Sequence, residues 1–279
     1  MRLPGYFSRR RVAQNAQVIG LCRFSYPAIG GFKTEHDSPE ERARFLYAPE
    51  RLDERFRLFE MFTLPSIRTQ TNDDFTFLIV IGTDFPAERE EQLRALTADI
   101  PQIVIQAHPP GRHREVMARA INSVRDKGKY SIQFRLDDDD AMGVGFVHKV
   151  RNMLFQHFPL FEGSRHVALA FTRGWNATGT PEGILAEPAK ANYPTAALAI
   201  VFRPDVDLTV MNFAHHQVWQ HMPTITRVDN DMFIRGVNGF NDSGDRIGQE
   251  MTLLTREQED RFQRAFGVNA EWVRARAGR

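Results

Sequence analysis

The chain has 279 residues, 42% of them hydrophobic, which is enough for a sizeable core and excludes a disordered protein. Its 36 Lys and Arg residues nearly balance 35 Asp and Glu, and the net charge of +1 gives no overall field that would attract nucleic acid. The single cysteine, Cys22, excludes an intramolecular disulfide and a zinc site built from a cysteine cluster.

The cytoplasm is the expected location, because the lone cysteine is accompanied by no secretory signal and no long apolar run. Arginine-rich chain ends, Arg9, Arg10 and Arg11 on one side and the C-terminal tail on the other, leave peripheral contact with the inner face of the membrane open. Such clusters either bind acidic lipid or merely keep the chain ends solvated.

The first half of the chain alternates predicted strands with predicted helices. A capping box at Ser38, followed by Pro39 at the first helical position, begins one helix, and a Phe-rich helix follows Leu52. Strands are predicted at 18–22, 75–81, 103–105 and 130–136, and further helices at 86–98 and around 116–124. This order indicates an α/β fold with a mainly parallel central sheet flanked by helices, whose ligands bind beyond the carboxyl ends of the strands.

The last of these strands ends in four consecutive carboxylates, at 137–140. Four crowded like charges are unfavourable unless they stay solvated or a cation neutralises them, and oxygen ligands suit Mg²⁺, Mn²⁺ or Ca²⁺. The run is therefore either a metal site or a solvated acidic turn. Its place at a strand end, like that of Asp84, favours the metal site. If strand alternation persists, Asp138 points away from Asp137 and Asp139.

The second half is predicted as a helix over 147–158, strands at 166–172, 196–202 and 224–228, and a closing helix capped by residues 255–258. A loop is predicted at 174–179, where Trp175 either recognises a polar ring or packs in a turn. Asp229 and Asp231 follow a strand as a second acidic pair. No linker separates the halves, so we expect one domain. Its first half covers about 15–142, its second half about 143–254, and a C-terminal helix and tail cover 255–279.

Residues 111–142 carry a resemblance to a known family. An arginine-rich start leads to Arg119 and Asn122 on a helix, and then to the strand that enters the acidic run. This stretch resembles GT-A glycosyltransferases of the family 2-like type and, more narrowly, the family known as putative rhamnosyltransferases. Arg23, Ser25 and the Phe-rich helix are similar to that family as well. The resemblance implies a GT-A-like domain, with a Rossmann-like nucleotide-binding half and an acceptor half.

The resemblance also implies roles for individual residues. Asp137 and Asp139 would be the two aspartates of an Asp-X-Asp motif that binds Mn²⁺ or Mg²⁺, with Asp137 also near the donor's ribose. The remaining donor-binding candidates are Asp84 at the nucleotide base, Arg119 and Asn122 at the nucleotide or diphosphate, and Arg23 and Ser25 at the donor edge of the first strand.

Two further roles remain open. An inverting transferase needs a base for the acceptor hydroxyl, and Asp231 is favoured over Asp229 because the apolar residues after it would hold it against the core. His215 or His216 is either a third metal ligand or an ordinary helix residue.

The expected function is metal-dependent transfer of a sugar, with rhamnose suggested by the family name. The donor would be a dTDP-, UDP- or GDP-sugar, and the acceptor a glycan, lipid-linked or other hydroxyl in surface polysaccharide synthesis. A metal-dependent nucleotidyltransferase and a non-catalytic calcium- and carbohydrate-binding protein are the alternatives. An EF-hand is excluded, because its sixth and twelfth positions, counted from Asp137, would be Met142 and His148.

Overall fold

Four parallel strands form the first half of a central sheet in the computed structural model, which describes residues 6–30, 38–238 and 250–278. The strands lie in the order β3-β2-β1-β4, the order of a Rossmann-like nucleotide-binding half. They are β1 (Gln17–Arg23), β2 (Thr76–Gly82), β3 (Ile103–His108) and β4 (Ser131–Arg135). The four predicted strands of this half are therefore confirmed.

Helices cover both faces of this half. Alternate residues of β1 enter different hydrophobic clusters, since Val18 and Cys22 pack on one face and Ile19 and Leu21 on the other. Burial on both faces explains why these strands are continuous apolar runs. The helices are α1 (Tyr6–Asn15), α2 (Pro39–Leu46), α3 (Pro49–Leu58), α4 (Leu64–Arg68), α5 (Ala87–Thr97) and α6 (His113–Val124).

One of these helices begins as predicted, and another continues through an unusual turn. Ser38 caps α2 by accepting a hydrogen bond from the Glu41 amide at 3.1 Å. A π-helical turn, Phe59–Thr63, joins α3 to α4 without a break. Such turns are rare and are often found at functional sites.

The second half adds antiparallel strands, so the whole sheet is mixed. The elements are β5 (Ala141–Met142), α7 (Phe146–Gln156), α8 (Phe158–Gly163), β6 (His166–Thr180), β7 (Gly183–Lys190), β8 (Leu198–Phe202), β9 (Thr224–Gly236), β10 (Thr252–Leu253), α9 (Arg256–Phe266) and α10 (Ala270–Ala277), with 3-10 turns at Thr195–Ala197, Val210–Asn212 and His215–Gln220. β8 pairs antiparallel with β4, β6 pairs antiparallel with β8 and β7, and β9 runs parallel to β6. The predicted α/β class, with helices flanking a central sheet, is confirmed, and parallel pairing dominates only its first half.

Two sequence predictions for this half are wrong. Residues 174–179 are not a loop but part of β6, which pairs with β7 on one side and β9 on the other. Gly174 permits this pairing, because a Cβ there would lie 2.2 Å from the Phe233 carbonyl oxygen. Asp229 and Asp231 likewise lie inside β9 and not at a strand end.

The closing helix α9 begins as predicted. Thr255 and Gln258 form a reciprocal capping box, and Gly267 ends the helix in the left-handed conformation with φ 74°. None of the helices in the described part of the chain has the length and apolar character needed to cross a bilayer.

Candidate functional site

The inner side of the acidic run is buried against one arginine. Arg55 on α3 donates from Nε to Asp138 Oδ2 at 2.9 Å and from Nη1 to Asp139 Oδ2 at 3.3 Å. Asn238, just past β9, donates to Asp139 Oδ2 at 2.8 Å. Asp138 and Asp139 are 2% and 5% exposed, so their charges depend on these partners and not on water. Strand alternation does not persist into the acidic run, because β4 ends at Arg135. Asp138 therefore does not point away from Asp139, and both contact the same guanidinium.

Backbone contacts fix the last carboxylate of the run. The Gly236 amide donates to Asp140 Oδ1 at 3.0 Å, and Thr63 in the π-helical turn donates to the Asp140 carbonyl at 2.8 Å. Burial, reinforced by the charges of Asp139 and Asp137, raises the pKa of Asp140 well above its usual range. The turn is therefore clamped between the α3–α4 segment and β9.

Asp137 differs from the other three because its side chain is exposed. Arg135 and His215 both lie within its electrostatic reach. His215 places Nδ1 at 2.8 Å from the Tyr193 carbonyl oxygen. A carbonyl only accepts, so Nδ1 carries the proton and Nε2 keeps its lone pair. Burial lowers the pKa of His215, which keeps the ring neutral at neutral pH.

A basic group lies at the same edge of the sheet. Arg23 ends β1, Arg135 ends β4, and His113 and Arg114 begin α6. Burial, followed by the charges of Arg23, Arg135 and Arg114, lowers the pKa of His113 to about 3. Three guanidinium groups therefore surround a neutral imidazole. Together with the amino-terminal end of α6, this arrangement favours an anionic ligand such as a diphosphate.

Two predicted donor residues lie at the ends of β1 and β2. Ser25 has a positive φ of 49° and accepts a hydrogen bond from Arg51 Nη1 at 3.1 Å. Asp84 accepts one from the Tyr47 hydroxyl at 3.1 Å. Burial, followed by the charge of Asp84, raises the pKa of Tyr47, so its hydroxyl remains a donor. Both predicted residues therefore lie where the ligand crevice of such a sheet is expected.

The two predicted residues of α6 differ in position. Arg119 is exposed and lies within electrostatic reach of Tyr26 and His108, at the ends of β1 and β3. Asn122 is exposed one helical turn further along, away from the start of α6. Arg119 thus lies at the same edge of the sheet as the basic group, whereas no described contact links Asn122 to that edge.

The predicted base candidates are not brought to the acidic run. Asp229 is exposed, and its hydrogen bonds from Arg227 lower its pKa to about 2. Asp231 accepts a hydrogen bond from Trp175 Nε1 at 3.0 Å and pairs with Arg173 at 3.2 Å. It lies five residues before Gly236 in β9, which corresponds to about 16 Å of extended chain. The predicted placement of both residues at a strand end is wrong, because β9 continues to Gly236.

Several residues of this site were missed by the sequence reasoning. They are Arg55, His113, Arg114, Arg135 and Asn238. The only local signal was an arginine on the apolar face of a helix or at the end of an apolar strand, as for Arg55 and Arg135. Across residues 6–30, 38–238 and 250–278, no three His, Cys, Asp or Glu side chains are grouped closely enough to hold a metal ion.

Fold and site together define an α/β protein with a polar, basic crevice beyond the carboxyl ends of its parallel strands. The sequence model of the family described as "Putative rhamnosyl transferase" matches residues 17–250, and the chain belongs to that family. This confirms the family expected from residues 111–142. No curated protein matches the sequence.

Solved structures show only distant similarity. Staphylococcus aureus TarS 1–349 in complex with UDP has a TM-score of 0.47 and 9% identity, over 79% of this chain and 60% of that one. The same protein with UDP-GlcNAc has a TM-score of 0.41 and 9% identity, over 88% and 64%. A nucleotide-diphospho-sugar transferase of Desulfovibrio desulfuricans G20, named as putative, has a TM-score of 0.34 and 16% identity, over 76% and 80%. The chain thus spans about three fifths of TarS 1–349.

Proposed function

We propose that the protein is a glycosyltransferase that moves a sugar from a nucleoside diphosphate donor to a hydroxyl acceptor with the help of Mn²⁺ or Mg²⁺. The supporting observation is the convergence of exposed Asp137, neutral His215 and the basic group at the ends of β1 and β4. A donor with a dTDP, UDP or GDP moiety carries a diphosphate, which is the kind of anion that this basic group would bind. Rhamnose as the sugar is suggested only by the description of the family.

Asp137 and His215 offer two ligands to a divalent cation, and the diphosphate of the donor would supply further oxygen ligands. Asp137 offers an exposed carboxylate, and His215 donates its Nδ1 proton to a backbone carbonyl, as metal-binding histidines almost always do. We assign these two residues as ligands and leave out Asp139, the other predicted metal ligand, because it is buried against Arg55 and Asn238. An imidazole in the set favours Mn²⁺ over Mg²⁺. When bound, the cation would stabilise charge on the diphosphate as the glycosidic bond breaks.

Three arginines of the protein complete the binding site for the donor's diphosphate. Arg23, Arg114 and Arg135 bind diphosphate oxygens, because a guanidinium presents a planar pair of donors to such oxygens. They are already in place before the bond breaks, so they stabilise the leaving group without reorganisation. Asp84, which follows β2 and accepts a hydrogen bond from the Tyr47 hydroxyl, binds the nucleoside in this proposal. Asp231 has both carboxylate oxygens engaged, which does not suit a base.

Thermal unfolding with metal and nucleotide tests this proposal. Mn²⁺ with one of UDP, dTDP or GDP should raise the Tm, since a ligand at 100 times its Kd adds about 2.7 kcal/mol of stability. Asp137→Asn should abolish the metal-dependent rise and leave the Tm of the free protein unchanged, because the side chain is exposed. Asp207→Asn, which removes an exposed partner of Lys127, is the control and should keep the rise.

The products separate the proposal from its alternatives. Glycosyl transfer or slow hydrolysis of the donor releases a nucleoside diphosphate, whereas nucleotidyl transfer releases pyrophosphate. A Tm rise with Ca²⁺ alone and with no nucleotide would favour the calcium-binding alternative. If none of the three nucleotides shifts the Tm, the glycosyltransferase proposal is contradicted.

We also propose an acceptor and a location for the protein. A glycan or lipid-linked acceptor of surface polysaccharide synthesis would bring the protein to the inner face of the membrane. Arg10 and Arg11 are exposed on α1, where they can contact acidic lipid. Sedimentation with vesicles containing phosphatidylserine, compared with neutral vesicles, tests this contact, and equal recovery in both would contradict it.

A further inference from the structure

A cleft of about 560 Å³ lies between β6, β7 and β9, in the second half of the sheet. Its volume is within the range of small-molecule sites. Residues of three strands line it: Arg173 and Trp175 from β6, Pro188 and Lys190 from β7, and Val228 and Asp231 from β9. None of these residues belongs to the acidic run or to the basic group.

A β-bulge shapes this cleft. Phe171 pairs with Arg227 and Gly174 with Phe233, so β6 advances by three residues while β9 advances by six and has three extra residues here. The register shifts on both sides of Arg173. Bulges bend a strand and re-aim side chains, and they are over-represented next to functional sites. The bulge brings the side chains of Arg173 and Asp231 together at the cleft.

The tryptophan of the cleft is held in one orientation. Its Nε1 donates to Asp231 Oδ2 at 3.0 Å, while Asp231 Oδ1 pairs with Arg173 at 3.2 Å. Phe262 of α9 packs edge-on against the indole, with 5.1 Å between ring centroids. The carboxylate of Asp231 therefore acts as a positioning group for Trp175. A fixed aromatic ring offers a large contact area with little loss of side-chain entropy on binding.

The other residues of the cleft complete an amphipathic surface. Val228 is 63% exposed and Pro188 is exposed, so apolar groups face solvent beside the indole. Apolar and aromatic surface with a few polar groups at its edge suits a sugar ring, whose faces carry C–H groups and whose rim carries hydroxyls. Lys190 is exposed and makes no ion pair within the described ranges, whereas Arg173 is neutralised by Asp231. The cleft therefore has one uncompensated positive charge.

We propose that this cleft is a second saccharide site, which binds an acidic sugar residue of the acceptor glycan apart from the place of transfer. Trp175 packs against the ring, and Lys190 binds its carboxylate. The proposal rests on the proposed function, because it makes the bound saccharide part of the acceptor. It also gives Asp231 the task of orienting Trp175, in place of the predicted task of a base.

Binding of matched oligosaccharides tests the cleft directly. Calorimetric titration should show binding of a trisaccharide with one hexuronate residue, and binding of its neutral counterpart about tenfold weaker, since losing one charged contact costs about 1.4 kcal/mol. Lys190→Gln should reduce the affinity for the acidic trisaccharide to that of the neutral one. Lys127→Gln, which removes another exposed lysine, should leave it unchanged. Trp175→Phe should lower the affinity for both trisaccharides.

The outcomes separate this proposal from the proposed function. The same Lys190→Gln protein should keep the Tm rise with Mn²⁺ and nucleotide. If the wild-type protein binds the acidic trisaccharide but shows no such rise, the proposed function fails and the cleft remains a saccharide site. Equal affinity for the acidic and neutral sugars, or no effect of Lys190→Gln, overturns the acidic specificity. Absence of binding by either sugar overturns the cleft as a saccharide site.

Discussion

The inner and outer sides of the acidic run use the same residue type for different purposes. On the inner side, buried Asp138 and Asp139 accept hydrogen bonds from Arg55, and Asp140 accepts one from a backbone amide. Outside, Asp137 is exposed and shares its surroundings with Arg135 and His215. The inner carboxylates fix the turn, whereas the outer one remains available to a ligand.

This difference in burial shows that four consecutive aspartates need not act as one metal site. Burial makes the charge of Asp138 and Asp139 dependent on a protein cation, which is a structural requirement. A rigid inner side in turn holds the outer carboxylate in place, because the chain between Leu136 and Asp140 is short. The consequence is that substitutions on the inner side should cost stability, and those on the outer side should cost ligand binding.

Removal of the inner cation is the largest expected effect. Arg55→Met removes the cation that buried Asp138 and Asp139 share, and breaking a buried pair in this way costs about 3–5 kcal/mol. Urea denaturation at neutral pH measures the loss. Arg57→Met is the matched control, because Arg57 pairs with Glu54 on the same helix in a more exposed setting and should cost at most about 1 kcal/mol. Equal losses in the two variants would show that the inner side is not held by Arg55.

A smaller loss is expected where β9 touches the run. A Cβ on Gly236 would lie 2.2 Å from the Asp139 carbonyl oxygen, and neither strand nor turn can yield without moving backbone. Gly236→Ala should therefore cost about 1–3 kcal/mol, the usual range for overpacking, and lower the Tm. Gly163→Ala at the end of α8 is the control, because a Cβ there meets nothing within 4 Å. A Tm drop no larger than that of the control would contradict the close approach.

The parallel half of the fold was predictable because its signals are local. Strands buried on both faces are continuous apolar runs, and the side chains of Ser38 and Thr255 cap their helices by accepting from backbone amides three residues later. The place of the acidic run at a strand end follows from the same pattern. Arg23, Asp84 and Asp137 could be proposed from position and family resemblance, although their roles are still predictions.

The second half was less predictable because distant residues determine it. Residues 174–179 look like a glycine-rich loop, and only pairing with β7 and β9 makes them a strand. The partner of Asp138 is 83 residues earlier in the chain. Likewise, the bulge at Arg173 depends on the register with β9, which no local pattern shows. Asp231 was misplaced for this reason.

At neutral pH the smallest expected effect lies on the outer side, and it grows as the pH falls. The pKa of His113 is about 3 in the folded protein, from burial and the charges of Arg23, Arg135 and Arg114, against about 6.5 when unfolded. Between these values the unfolded chain binds the extra proton, so stability falls as the pH falls from 6.5 towards 3. His113→Gln removes this contribution, which is below about 1.4 kcal/mol per pH unit, and should flatten the dependence of the unfolding free energy between pH 6.5 and 4.5. Arg114→Gln keeps the histidine but weakens the field around it, so its slope should be intermediate. Parallel slopes for the wild type and both variants would show that the basic group does not act on His113, and would remove the electrostatic argument for a diphosphate at this edge.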